Sequence, residues 1–95
     1  MKTLADIKRR VRPGTRLEVV EQTKRPVLVG TIRTVIRASS SNLVFTSDNT
    51  GGEEYHQVWP KAAEVRVVDA DTYEWDMRGP GNQGHHVRLR FLPDA

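Results

Sequence analysis

Residues 43–59 read LVFTSDNTGGEEYHQVW. Two runs that contain β-branched and aromatic residues, 43–47 and 53–59, flank the polar segment DNTGG at 48–52. Glycine reaches positive φ without a steric penalty, and Asn and Asp tolerate it, so this segment predicts a tight turn between paired strands. The stretch therefore predicts a β-hairpin, and with it a fold built mainly from antiparallel strands.

The segments around this hairpin also show the period of half-buried strands. Residues 15–22 place Leu17 and Val19 on one face. Residues 85–92 form a last alternating strand with three apolar residues directed inward: Val87, Leu89 and Phe91. Further strands are predicted at residues 27–37 (with a bulge or bend at Gly30), 64–68 and 72–77, with a short 3₁₀ turn at 60–63. We expect one domain over residues 1–95, with barrel strands across 15–77, a flexible glycine-rich loop at 78–84 and little exposed sheet edge.

The first dozen residues have a helical period instead. One apolar stripe recurs at spacings of three and four: Leu4, Ile7 and Val11. This spacing predicts a helix over residues 3–12 that must dock on the strands, because so short a helix is marginal alone. Thr3 and Asp6 have the spacing of a capping box, and Asp6 is also four residues from Arg10, which predicts an ion pair. Pro13 ends the helix.

Two runs resemble a known fold. The run GTRLEV at 14–19 resembles the first strand of SH3-like barrels, and VWPKAAEV at 58–65 resembles their passage from an aromatic residue through a 3₁₀ turn into the next strand. The resemblance implies a mainly β fold, a small SH3-like barrel of six or seven short strands with one N-terminal helix. The acidic and aromatic loop of peptide-binding SH3 domains is missing and the strand at 85–92 is extra, so no ligand is implied. Residues 59–75 are also similar to short uncharacterised proteins of actinobacteria and their phages, which implies no activity.

Charge is segregated along the chain. Residues 1–47 hold ten Lys or Arg against three Asp or Glu, a net of +7, whereas residues 48–77 hold two against eight, a net of −6. Residues 78–95 return to +2, so a total of only +3 conceals a strong asymmetry. A basic surface of this kind is a candidate for binding a polyanion.

The basic residues of the helix and its flank are the best candidates for a binding site, joined by two arginines on the strands: Lys8, Arg9, Arg10, Arg12, Arg16, Arg33 and Arg37. Guanidinium groups contact phosphate bidentately, which predicts electrostatic, weakly sequence-selective contact with DNA or RNA. In the competing interpretation, these arginines pair with carboxylates of the acidic segment and form a solvated face: Glu53, Glu54, Asp69 and Asp71. The distance between the acidic hairpin at 69–76 and the helix separates the two interpretations.

A second function class is a protein-interaction or assembly module, such as an accessory protein of a phage or mobile element. In that case the +7 and −6 segments pair between subunits or with a protein partner. Four aromatic residues, Tyr55, Trp59, Tyr73 and Trp75, have the alternation of a base-stacking platform. Their neighbours are acidic, however, and core packing is the favoured interpretation.

Other classes find no support in the sequence. His56, His85 and His86 lack metal-ligand spacing, since adjacent strand residues point to opposite faces, so we expect neither a metal nor a cofactor. No nucleophile elbow or phosphate-binding loop is present, and we expect neither enzymatic activity nor a small-molecule substrate. The chain has no cysteine, no secretory apolar run and no span long enough for a bilayer. We therefore expect a cytoplasmic location and no membrane contact.

Overall fold

A computed structural model describes residues 1–23, 25–49, 51–76 and 86–93 of the chain. Within these residues one α-helix, α1 (Leu4–Arg10), precedes seven strands: β1 (Arg16–Gln22), β2 (Ile32–Ala38), β3 (Asn42–Ser47), β4 (Glu54–Val58), β5 (Val65–Val67), β6 (Thr72–Asp76) and β7 (His86–Phe91). Two 3₁₀ turns lie between strands, at Pro26–Leu28 and Ala62–Glu64. The loop predicted at residues 78–84 lies outside the described residues.

The seven strands form one antiparallel sheet in the order β4-β3-β2-β1-β7-β6-β5. The sheet curls into a half-barrel, and helix α1 precedes it at the N-terminus of the chain. The predicted mainly β fold with one N-terminal helix is therefore confirmed. Strand β7 pairs with both β1 and β6 and so joins the first four strands to the β5–β6 hairpin. Strands β4 and β5 are the two edges of the sheet among the described strands. Because these two edges do not pair with each other, the sheet is not closed into a complete barrel.

The hairpin predicted at residues 43–59 is confirmed. Strands β3 and β4 pair in register, with Phe45 opposite Tyr55. Gly51 and Gly52 take φ values of 66° and 94° in the turn between them. Because side chains with a Cβ rarely adopt such φ values, the two glycines allow the chain to reverse here.

The strand predicted at residues 27–37 is wrong in its first half. Pro26–Leu28 forms a 3₁₀ turn and β2 begins only at Ile32. Proline fixes its own φ and supplies no amide donor, which suits the first position of a helical turn better than a strand. Gly30 is therefore not a bulge within a strand. At φ 92° it redirects the chain into β2, and its N–H donates to the Val19 carbonyl at 2.8 Å.

The core lies between the sheet and α1. Ile7 has no exposed surface, and the alternating residues predicted to point inward on β1 and β7 are buried. Two of the four aromatic residues singled out above, Trp59 and Tyr73, are also buried, and burial raises the pKa of the Tyr73 phenol. The Trp59 Nε1–H donates to the Ser39 carbonyl at 3.0 Å, which satisfies its polar atom. These two aromatic side chains are therefore structural.

The N-terminus of α1 has the predicted capping box. Thr3 Oγ1 accepts from the Asp6 N–H at 3.2 Å, and Asp6 Oδ2 accepts from the Thr3 N–H at 3.2 Å. Backbone donation from Lys2, followed by the Arg9 guanidinium, lowers the pKa of Asp6 to about 2. The predicted Asp6–Arg10 ion pair is wrong, because Asp6 pairs with Arg9, one residue nearer.

Candidate nucleic-acid interface

Four arginines surround one open depression at the C-terminal end of α1. Arg9, Arg10, Arg12 and Arg16 line it together with the intervening turn at residues 13–15, and its volume is about 670 Å³. These are four of the five basic residues that the sequence predicts for the helix and its flank. We call this group the arginine depression.

The turn between α1 and β1 fixes the position of these arginines. The Arg12 N–H donates to Thr15 Oγ1 at 3.0 Å, and the Thr15 N–H donates back to the Arg12 carbonyl at 2.9 Å. The Gly14 N–H donates to the Val35 carbonyl at 2.8 Å, which attaches the turn to β2. Since the backbone groups are satisfied locally, the side chains of Arg12 and Arg16 project from an anchored loop.

Arg10 is neutralised within the chain. Its guanidinium donates to Asp71 Oδ1 at 2.6 Å and to the Ala70 carbonyl at 2.8 Å, and its Cζ lies 4.2 Å from the centroid of the Phe91 ring. The turn between β5 and β6 therefore lies beside the helix. This is the arrangement of the competing interpretation, in which the acidic hairpin cancels basic charge of the helix, but the described contacts of this hairpin neutralise Arg10 and not Arg9, Arg12 or Arg16.

The other three guanidinium groups of the depression are less constrained. The Arg9 side chain is 74% exposed and, among the described residues, pairs with Asp6 alone, whereas Arg16 donates to the Pro93 carbonyl at 3.1 Å. Arg12 is exposed, and no described residue provides an ion-pair or hydrogen-bond partner for its side chain. Exposed ion pairs are weak because water and salt screen them, so Arg9 can exchange Asp6 for another anion.

Two of the remaining predicted residues lie away from the depression. The Lys8 ammonium donates to the Ser40 carbonyl at 2.7 Å and lies 5.8 Å from the Trp59 ring, so it helps to hold α1 on the β2–β3 turn. Arg37 is exposed on β2 and lies 3.7 Å from Glu54 on the edge strand β4. Neither residue extends the arginine depression.

Arg33 also lies outside the arginine depression, and its side chain points to the same face of the sheet as the core residues. On β2 it shares a face with buried Val35, and its Cζ lies 4.7 Å from the centroid of the Phe45 ring. Burial lowers the pKa of its guanidinium. Arg33 therefore lies in a different environment from the exposed Arg37 on the same strand and does not join the predicted basic surface.

A network of ion pairs crosses the outer face of β1, β7, β6 and β5. Its centre is Glu74, which accepts from Arg66 at 2.7 Å and from Arg88 at 3.3 Å. These donors, Arg66 first, lower the pKa of Glu74. Further ion pairs join β1 to β7, Glu18 with Arg90 and Glu21 with Arg88, and His86 Nε2 lies within hydrogen-bond distance of Glu21 Oε1 at 2.6 Å. The network thus pairs Glu18 and Glu21 of the basic segment and Glu74 of the acidic segment, but none of the basic residues of 1–47 belongs to it.

Part of this network could be predicted from the sequence, because Arg88 and Arg90 alternate with buried residues on β7 and so lie on its outer face. The partners on β1 and β6 could not be identified without the strand order.

Across the described residues, no group of three His, Cys, Asp or Glu side chains is arranged to hold a metal ion. None of the helices in that part of the chain has the length and apolar character to cross a membrane.

Known proteins provide no relative from which a function could be inferred. No family model, curated protein or solved structure matches the chain.

Proposed function

We propose that this protein is a non-enzymatic binding module that contacts the phosphate backbone of nucleic acid through Arg9, Arg12 and Arg16. The observation that supports the proposal is the convergence of these side chains on one open depression. Arg10 lines the same depression but is occupied by Asp71 and Phe91. Arg10 therefore attaches the edge of the arginine depression to the β5–β6 turn and to β7.

Binding of this kind is electrostatic. Guanidinium groups form bidentate hydrogen bonds with phosphate oxygens, and each neutralised phosphate releases condensed counterions. Helix α1 has only seven residues and packs on the core through Ile7, so it is not available as a recognition helix in the major groove. The contact is therefore expected to position the protein on a backbone without selecting a base sequence.

A titration with duplex DNA at several salt concentrations tests the proposal. Three neutralised phosphates give a slope of log affinity against log salt of about −2.7, and single strands give about −2.1. Arg12→Gln should reduce the magnitude of the duplex slope by about 0.9, because one phosphate contact is lost. Arg37→Gln removes the same charge from an exposed arginine on β2, outside the depression, and should leave the slope unchanged.

Two outcomes would count against this function. Absence of binding at about 50 mM salt removes it, since three contacts are strongest at low ionic strength. Equal effects of Arg12→Gln and Arg37→Gln would show that net charge, rather than the arginine depression, attracts the nucleic acid.

Edge strand β4 supports a second candidate, an assembly module. Among the described strands only β3 pairs with β4, so its outer backbone groups are open to a further strand. Val58 on this strand is 68% exposed. An unprotected edge of this kind can pair with the same edge of a second copy.

Light scattering at low and high salt separates this candidate from charge-driven assembly. Edge pairing predicts a dimer that persists at high salt, whereas pairing between the basic and acidic segments predicts one that dissociates. Val58→Lys should abolish an edge dimer, since a charged edge residue opposes strand addition. Val27→Lys adds the same charge at an exposed position outside the strands and is the matched control. A monomer at all salt concentrations would contradict both forms of assembly.

A further inference from the structure

A second concave site lies between strands β1–β4 and the 3₁₀ turn at Pro26–Leu28. Its volume is about 200 Å³, and none of its nine lining residues is acidic. Two of them, Arg25 and Arg33, carry a positive charge. We call this site the Arg33 pocket; it shares no residue with the arginine depression.

Arg33 differs from the other arginines on the strands, apart from Arg16 at the start of β1, whose side chain donates to the Pro93 carbonyl. Arg37, Arg66, Arg88 and Arg90 each lie within 4 Å of a carboxylate. Arg33 is half-buried and stacks on the Phe45 ring, yet no carboxylate in the described part of the chain pairs with it. Burying a charge without a partner is unfavourable, so the pocket contains a cation whose counter-ion the described chain does not supply.

The rest of the pocket has the character of a ligand site. The Phe45 and Tyr55 rings, which both line the pocket, stack with their centroids 5.7 Å apart and their planes inclined by 23°, which provides an aromatic wall. Gln22 Oε1 is buried and accepts no hydrogen bond from the described residues. Arg25 is exposed at the rim, and no carboxylate of the described residues forms an ion pair with it. Small-molecule sites combine an apolar lining with a few polar groups in this way.

We propose that the Arg33 pocket binds a small organic oxyanion, a phosphate or carboxylate attached to a flat apolar body. The oxyanion pairs with the Arg33 guanidinium, which matches it bidentately, and the body packs against Phe45 and Tyr55. Arg25 attracts the anion at the rim, and an O–H or N–H group on the ligand satisfies Gln22 Oε1. The pocket shares no residue with the arginine depression, so this binding is separate from the proposed contact with nucleic acid.

An NMR titration of the ¹⁵N-labelled chain tests the proposal with four probes: phenyl phosphate, benzoate, inorganic phosphate and benzyl alcohol. We expect saturable shifts at the Arg33 Nε–H and at the backbone of Phe45 and Tyr55 with at least one aromatic anion. Inorganic phosphate should bind at least fivefold more weakly, and benzyl alcohol should not saturate. The tighter of the two aromatic anions identifies phosphate or carboxylate as the preferred group. Absence of saturable shifts at about 10 mM of both, or shifts confined to Arg9, Arg12 and Arg16, would overturn the proposal.

Variants separate a binding role for Arg33 from a structural one. Arg33→Met should weaken binding of the preferred probe at least tenfold without a large fall in melting temperature, because the charge that it removes has no carboxylate partner and the Met side chain can keep an apolar contact with the Phe45 ring. Arg37→Met, on the same strand but exposed, should bind as the parent chain does. Arg33→Lys keeps the charge but loses the planar fork and should bind with intermediate affinity. Unchanged affinity in Arg33→Met would overturn the proposal.

The rim provides a test that does not depend on the folding of an Arg33 variant. Arg25 is exposed, so Arg25→Met should fold normally and weaken the preferred probe about threefold or more. Failure of this variant to weaken binding, together with shifts outside the Arg33 pocket in the parent chain, would show that the probe binds elsewhere. Oligonucleotide binding by either variant should be unaffected, so failure of this proposal and failure of the nucleic-acid proposal are distinguishable.

Discussion

Replacing Ile7 by Ala is expected to lower the free energy of unfolding by about 2–5 kcal/mol. Ile7 has no exposed surface and is the one fully buried side chain of α1. Truncation removes its transfer free energy and leaves a cavity between the helix and the sheet. For a small domain with a total stability of about 5–15 kcal/mol, this is a large fraction.

The same change should weaken nucleic-acid binding, because α1 is too short to remain helical without its contact to the core. When the helix loosens, Arg9 and Arg12 no longer have fixed positions around the depression. Urea unfolding measures the stability effect, and the duplex titration at low salt measures the binding effect. Val27→Ala truncates a side chain that is 86% exposed and should change stability by less than about 0.5 kcal/mol. A loss below about 1 kcal/mol in Ile7→Ala would show that the helix does not depend on this contact.

Replacing Glu74 by Gln is expected to cost about 2–3 kcal/mol at neutral pH. The Glu74 side chain is only 11% exposed, and the change leaves Arg88 without its nearest carboxylate. Removing one partner of a buried ion pair costs about 3–5 kcal/mol, and the high exposure of Arg66, at 70%, reduces that figure. Glu54→Gln breaks the exposed Arg37–Glu54 pair and should cost less than about 1 kcal/mol.

The effect of Glu74 should also depend on pH. Its folded-state pKa is lowered, as are those of Asp6 and Asp69, so the folded state favours the ionised carboxylates. The stability they contribute is therefore present above the unfolded carboxyl pKa, near 4, and is lost as pH falls through the lower folded values. Urea unfolding between pH 7 and pH 2 should show a smaller acid loss for Glu74→Gln than for the parent chain. Parallel pH profiles would contradict this assignment.

The sequence predicted the local features of this fold because local chemistry specifies them. The capping box of α1, the hairpin turn at Gly51 and Gly52 and the inward face of β7 each depend on residues that are close in sequence. The strand predicted across 27–37 failed because β-branched residues such as Val27 and Val29 suggested a strand, whereas Pro26 and the backbone hydrogen bonds of the turn determine the local structure.

The candidate site could be predicted only in part, for two physical reasons. Arg33, Val35 and Arg37 have the same sequence parity, but the register of β2 against β3 shifts between Val35 and Arg37. Arg33 therefore faces the Phe45 ring while Arg37 is exposed, a difference that alternation alone does not show. The neutralisation of Arg10 by Asp71 depends on the placement of the β5–β6 hairpin, a contact between distant parts of the chain.

The position of β7 in the sheet has a consequence for how the chain acquires its structure during synthesis. The β1–β4 segment and the β5–β6 hairpin share no strand pairing of their own, and β7, which the ribosome makes after all six, joins them. Pairing Leu17 with Phe91 closes a loop that spans most of the chain, and such non-local pairing slows folding towards milliseconds to seconds. Until β7 emerges from the ribosome, the nascent β1 and β6 each have an unpaired edge. The sheet can therefore be completed only after β7 has been synthesised, and it does not grow strand by strand in chain order.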